Sequence, residues 1–68
     1  MSQFTIALLS IFDKSDGGRE LQREDIFLDS ISEAIDYGSS LFEYSKNFAR
    51  GVRVYDEKRH LVYQHIVF

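Results

Sequence analysis

Cysteine, proline and tryptophan are absent from this chain of 68 residues. Without cysteine there is no disulfide and no thiolate ligand for a metal, and the redox compartment is left open. Without proline, no cis-proline can slow folding. The apolar run at residues 4–12 is too short to cross a bilayer, and it lacks the basic leader and cleavage site of a signal peptide. We therefore expect no membrane association, and cytoplasmic residence is the default expectation.

The small size and the composition predict one folded domain over residues 1–68. A chain of this length buries about 60% of its unfolded surface, so its stability is marginal. Its hydrophobic fraction of 44%, with six phenylalanines and four tyrosines, supports a folded core and argues against disorder. The formal net charge of −3 disfavours unaided binding to a nucleic-acid backbone.

Residues 29–49 have the pattern of an amphipathic helix. Ser30 followed by Glu33 has the form of a capping box. Gly38 costs about 1 kcal/mol relative to alanine in a helix interior, so its place on the apolar face predicts close approach to a strand. Gly51 is the expected stop signal. The predicted apolar face consists of Ile31, Ala34, Ile35, Gly38, Leu41, Phe42, Ser45, Phe48 and Ala49.

Three further stretches predict strands. Residues 4–12 are apolar at both odd and even positions, as in a central strand that is covered on both faces. Residues 52–55 alternate, and a polar turn at residues 56–59 leads to a last strand at residues 60–68. Residues 19–28 are ambiguous, because they suit either a charged edge strand paired with the first strand or a loop.

The order of these elements predicts an α+β fold, β-β-α-β-β, with a three- to four-stranded, mostly antiparallel sheet and one helix on one face. One helix covers one face, whereas the first and last strands carry apolar residues at both parities. We therefore expect a homo-oligomer, most simply a dimer, formed sheet on sheet or by edge pairing. The alternative is a monomer with ordinary exposed apolar residues.

The residues that could carry chemistry predict no enzyme, no cofactor and no metal site. His60 and His65 are five apart in one predicted strand, so they point to opposite faces and cannot share a site. No serine lies in a Gly-x-Ser-x-Gly setting. The turn at residues 13–18 lacks the ligand spacing of a calcium loop, and its glycines lack the lysine and following helix of a phosphate loop.

Binding to a protein partner is therefore the expected function, and two surfaces are candidates. The first, the acidic helix face, comprises Glu33, Asp36, Ser40 and Glu43 with Tyr37 and Tyr44. It gives an alternative function, that of a phage-encoded inhibitor blocking a nucleic-acid-binding host defence protein. The second, the basic cluster, comprises Arg50, Arg53, Lys58 and Arg59. It has too few aromatic companions to form a stacking platform, which disfavours direct nucleic-acid binding.

Several short motifs in fixed order carry a family resemblance. They are Asp16-Gly17-Gly18, Arg23-Glu24-Asp25, Asp29 with Glu33-Ala34, and Val52-Arg53-Val54-Tyr55-Asp56-Glu57 leading to Leu61-Val62. In this order the chain resembles a family of short bacterial proteins of unknown function. The resemblance implies the β-β-α-β-β fold and brings no activity or site residue. The chain departs from the family at residues 56–59, where those proteins have an Asp-x-x-Gly turn.

Overall fold

A computed structural model describes residues 1–10 and 19–67. The elements are β1 (Ser2–Ser10), β2 (Arg19–Leu28), α1 (Ile31–Tyr44), β3 (Gly51–Tyr55) and β4 (Leu61–Ile66). The four strands form one sheet in the order β2-β1-β3-β4, with every pairing antiparallel and α1 packed on one face. The predicted α+β fold is confirmed. The turn predicted at residues 13–18, and the strand positions predicted at 11, 12 and 68, lie outside the described residues.

The ambiguous stretch at residues 19–28 is an edge strand. It pairs with β1 from Ser2↔Leu28 to Ser10↔Arg19, with a register shift between Leu8 and Leu9. Towards its end the strand alternates partly buried and exposed positions, so that Ile26 and Leu28 reach the core whereas Phe27 between them is exposed. β1 is therefore a central strand, as predicted.

The helix begins where the sequence predicts it. Ser30 is the N-cap, and its hydroxyl accepts a hydrogen bond from the Glu33 N–H at 3.2 Å. The Glu33 carboxylate in turn accepts from the Asp29 N–H at 3.2 Å. These bonds satisfy amides that have no partner within the helix.

The helix ends at Tyr44, earlier than the predicted end at residue 49. The Ser45 N–H donates to the Phe42 carbonyl at 2.9 Å, which tightens the chain into a turn. The Ala49 N–H then donates to the Ser45 carbonyl at 2.8 Å. Gly51 is not the stop signal but the first residue of β3, where an added Cβ would lie 3.0 Å from the His65 carbonyl oxygen.

The core lies between α1 and the sheet. Gly38 brings the helix close to the sheet, as predicted: an added Cβ would lie 2.9 Å from Cγ2 of Val54. Ile31, placed on the predicted apolar face, is half exposed in the first turn. The buried residues of this core are Phe4, Ile6, Leu8, Ala34, Phe42, Ala49, Val52 and Val54.

The turn between β3 and β4 is built around Asp56. Its carbonyl accepts from the Arg59 N–H at 2.9 Å, and its carboxylate accepts from the N–H groups of Lys58 and His60, each at 2.9 Å. The bond from His60 and then the one from Lys58 lower the pKa of the Asp56 carboxyl. Its contribution to stability is therefore present at neutral pH and is lost as the pH falls through the lowered pKa.

Arg59 occupies the left-handed region in this turn, with φ 66°, and is the one non-glycine residue with positive φ among the described residues. A side chain in this region costs about 1–2 kcal/mol, because Cβ approaches the following carbonyl oxygen. Glycine avoids this contact but loses about 0.5–1 kcal/mol more backbone entropy on folding.

We expect Arg59→Gly to raise the free energy of unfolding by about 0.5–1 kcal/mol, measured by urea denaturation. Lys58→Gly is the matched control, because it adds the same flexibility in the same turn at a residue without positive φ. It should lower the free energy of unfolding. Equal losses in both variants would contradict the assignment of strain to Arg59.

Candidate functional site

The acidic helix face is exposed, but much of its charge is engaged locally. Glu33, Asp36, Ser40 and Glu43 all lie on the exposed side of α1. Glu33 caps the helix, and the Glu43 carboxylate lies 3.1 Å from the Lys46 ammonium. Inhibition of a nucleic-acid-binding protein through this face stays a prediction from the sequence.

The two tyrosines assigned to that face have different surroundings. Tyr37 is partly buried, and its hydroxyl donates a hydrogen bond to the Glu24 carboxylate of β2. This bond, with a smaller contribution from burial, raises the pKa of Tyr37. Tyr44 is 87% exposed. Tyr37 therefore joins the helix to the sheet, whereas Tyr44 lies open on the surface.

The basic cluster predicted from the sequence is divided in the structure. Arg50 precedes β3, whereas Lys58 and Arg59 follow it. A strand of five residues is about 16 Å long, so these side chains start at opposite ends of β3. Arg53 lies between them and donates from Nε to Oε1 of Gln64 at 2.7 Å. The four residues do not form one site.

The sheet face opposite α1, here called the open face, is more polar than the sequence suggested. Strand pairing places Ala7 between Arg23 and Arg53, and Thr5 between Asp25 and Tyr55. Ala7 has no exposed surface. Arginine stems can cover a neighbouring alanine while their charged ends stay in water. The apolar second face on which the expectation of a covering copy depended is therefore not present around Ala7.

Ion pairs and hydrogen bonds hold several polar side chains of the open face. The Thr5 hydroxyl donates to the Asp25 carboxylate at 2.7 Å. Arg23 donates to Glu20 through Nε at 2.8 Å and through Nη2 at 3.0 Å. The hydrogen bond to Glu20, together with its negative charge, raises the pKa of Arg23, which stays charged.

A depression of about 180 Å³ lies on the open face, lined by Thr5, Arg23, Tyr55 and Arg59. Sequence reasoning missed Arg23 and Thr5 as site residues. They join Tyr55 and Arg59 through the register of β2, β1 and β3, which no local sequence pattern specifies.

The two edges of the sheet differ in charge. The β2 edge carries Arg19, Glu20, Arg23, Glu24 and Asp25. β4, with the sequence LVYQHI, has no acidic residue, lysine, arginine, proline or glycine. Charged side chains on an edge strand discourage pairing with another chain, and their absence permits it. The β4 edge is therefore the part of the described sheet best suited to accept another strand.

The backbone geometry shows which groups of β4 face outward. The Val67 N–H donates to the Arg50 carbonyl at 2.7 Å, so Val67 directs its polar groups towards β3. Because successive residues of an antiparallel strand alternate in this respect, Gln64 and Ile66 direct theirs to the open edge. Next to this edge, the His65 ring contacts Phe42 edge to face, with 5.7 Å between ring centroids.

The described ranges hold no group of three His, Asp or Glu side chains placed to bind a metal ion. Nor is any helix within them long and apolar enough to cross a membrane. Comparisons of the chain with known protein families, curated proteins and solved structures gave no match. The resemblance to short bacterial proteins therefore stays a prediction.

Proposed function

We propose that this chain is a non-catalytic protein-interaction module that self-associates through the β4 edge of its sheet. The observation that carries the proposal is the contrast between the edges. Half of the residues of β2 are charged, whereas β4 has no acidic residue, lysine or arginine. Within the described ranges, neither β2 nor β4 has a strand partner on its outer side. The edge without these charged residues is the better template for another strand.

The residues of β4 suit strand pairing. Val62, Tyr63 and Ile66 are β-branched or aromatic types with high strand propensity. The outward N–H and C=O groups of Gln64 and Ile66 supply the hydrogen bonds of a new ladder. A short segment of this kind, with low charge and no proline or glycine, has the composition of strands that pair between chains.

A second copy of the chain is the partner that fits this edge. In antiparallel pairing about a two-fold axis at Gln64, residues 61–67 of both copies overlap completely. Val62 then lies opposite the partner's Ile66, and Tyr63 lies opposite the partner's His65. Apolar and aromatic pairs of this kind stabilise a sheet, and no two like charges meet. The product is a continuous eight-stranded sheet with both helices on one face.

A proline at position 64 tests the proposal. Gln64→Pro removes the outward N–H at the centre of the proposed ladder, and proline is tolerated on edge strands where this group faces solvent. We expect the mass of the wild-type chain in sedimentation equilibrium to rise from 8.0 kDa towards twice that value with concentration. The proline variant should stay monomeric.

Gln64→Ala is the matched control, because it removes the same side chain, including its bond to Arg53, but keeps the backbone N–H. It should self-associate as the wild type does. A wild-type chain that keeps a mass of 8.0 kDa at every concentration would overturn the proposal.

A further inference from the structure

We propose that the depression on the open face binds a phosphoryl group, held between the guanidinium groups of Arg23 and Arg59. Its walls bring these two cations together with the phenol of Tyr55 and with Thr5. Strand register places Thr5, Arg23 and Tyr55 there, and the hairpin turn places Arg59 beside them. The observations that support it are independent of the β4 edge.

The backbone at Arg59 is the first of these observations. The turn at residues 56–59 is closed by backbone bonds and by the Asp56 carboxylate, and none of them uses the Arg59 side chain. Glycine would suit its φ of 66° better. Within the described ranges, the Arg59 guanidinium has no hydrogen-bond or ion-pair partner. The Arg59 side chain therefore strains the backbone and adds no hydrogen bond or ion pair within the described ranges. Backbone strain of this kind is typical of binding sites.

Arg23 is held in place beside the depression. Glu20 accepts from its Nε and Nη2 atoms, at 2.8 and 3.0 Å, which fixes the plane of the guanidinium. The Nη1 group is not used by Glu20 and keeps its two N–H donors. An arginine fixed in this way loses little entropy when it binds an anion.

Phosphoryl is the anion that best matches this arrangement. The two guanidinium groups offer several N–H donors. The charge of Arg23 is balanced by Glu20, so Arg59 supplies the net positive charge of the pair. The three oxygens of a tetrahedral phosphoryl group can accept from Arg23, Arg59 and the Tyr55 hydroxyl, which line the same depression. A carboxylate has two oxygens in one plane, and Arg23 already holds one carboxylate, that of Glu20. Across the open face, Arg23, Arg53 and Arg59 outnumber Glu20 and Asp25, although the chain carries −3 overall.

Titration of the full chain with inorganic phosphate, followed by amide chemical shifts in NMR, tests this site. We expect saturable shifts around Thr5, Arg23, Tyr55 and Arg59, and weaker binding of acetate. Arg59→Gly should weaken phosphate binding about tenfold or more, the effect of losing one charge-assisted hydrogen bond. Because glycine suits this backbone, the variant should melt no lower than the wild type.

Lys58→Ala is the control for overall charge. It removes one positive charge from the next residue, whose side chain lines a different surface with Asp56 and His60. Its phosphate affinity should stay within about twofold of wild type, since exposed charges interact weakly through water. Equal losses in the Lys58 and Arg59 variants would show that phosphate is only a diffuse counter-ion. That result, or the absence of saturable shifts in the wild type, would overturn the proposal.

Discussion

Replacing Phe42 with aspartate is expected to unfold the protein. Phe42 is 5% exposed, packs in the core between α1 and the sheet, and contacts the His65 ring. Loss of a buried phenylalanine costs about 3–5 kcal/mol. An unpaired carboxylate in its place adds several kcal/mol more. A domain of this size has a total stability of only about 5 kcal/mol.

Circular dichroism and the dispersion of amide proton shifts would report this loss of structure. Ser40→Asp is the matched control, because it places the same carboxylate on the exposed side of the same helix. It should keep the wild-type spectrum and melt within a few degrees of it. A Phe42→Asp variant that still unfolds cooperatively near the wild-type temperature would mean that this face of α1 is not buried.

The start of the helix and its contact with the sheet were predictable because their signals are local. The capping box of Ser30 and Glu33 occupies four successive positions. The Ser30 hydroxyl accepts from the Glu33 N–H as expected, and the Glu33 carboxylate accepts from Asp29, one residue before the N-cap. The spacing of Ala34, Gly38 and Phe42 is that of one helix face, and all three are buried. Such signals depend on geometry within a few turns of chain.

The helix end and the edge strand depended on contacts that local patterns do not reveal. Apolar periodicity continues through Phe48, yet the chain turns at Ser45 and Phe48 is half exposed. This turn places Arg50 where its N–H donates to the Leu9 carbonyl of β1. The hydrogen bond between Arg50 and β1 therefore ends the helix before the apolar periodicity of the sequence ends. Residues 19–28 could be assigned to a strand only through their pairing with β1.

The open face shows why the candidate site was only partly predictable. Arg59 was singled out from the sequence as part of the basic cluster, and Tyr55 lies four residues before it in the same hairpin. Arg23 lies far away in sequence and reaches them only because β2 and β3 flank β1 in register at Ala7. Both faces of β1 carry apolar residues, which suggested that the face away from the helix would be an exposed apolar surface. The pattern of one strand does not show which side chains lie on the neighbouring strands. How polar one face of a sheet is depends on which strands are neighbours and on the register in which they pair.

Replacing Gly38 with valine is the second large effect that we expect. A Cβ at this position would lie 2.9 Å from Cγ2 of Val54, and 3.6 Å and 3.7 Å from methyl groups of Val52 and Ile6. Those side chains are almost fully buried, and β-branched residues have few alternative rotamers. The helix must therefore move away from β3, its main contact. Overpacking of this kind costs about 1–3 kcal/mol, and more for a branched side chain on rigid neighbours.

Gly38→Ala separates helix propensity from packing. Alanine is better than glycine by about 1 kcal/mol in a helix interior, so propensity alone predicts a gain in stability. Packing against Val54 predicts a loss, and because 2.9 Å is too short for a Cβ contact, we expect packing to win. The free energy of unfolding in urea should fall from wild type to Gly38→Ala and further to Gly38→Val, while Ser40→Val, on the exposed side, changes little. A stabilised Gly38→Ala variant would mean that the helix lies farther from β3 than described, with room for a methyl group between them.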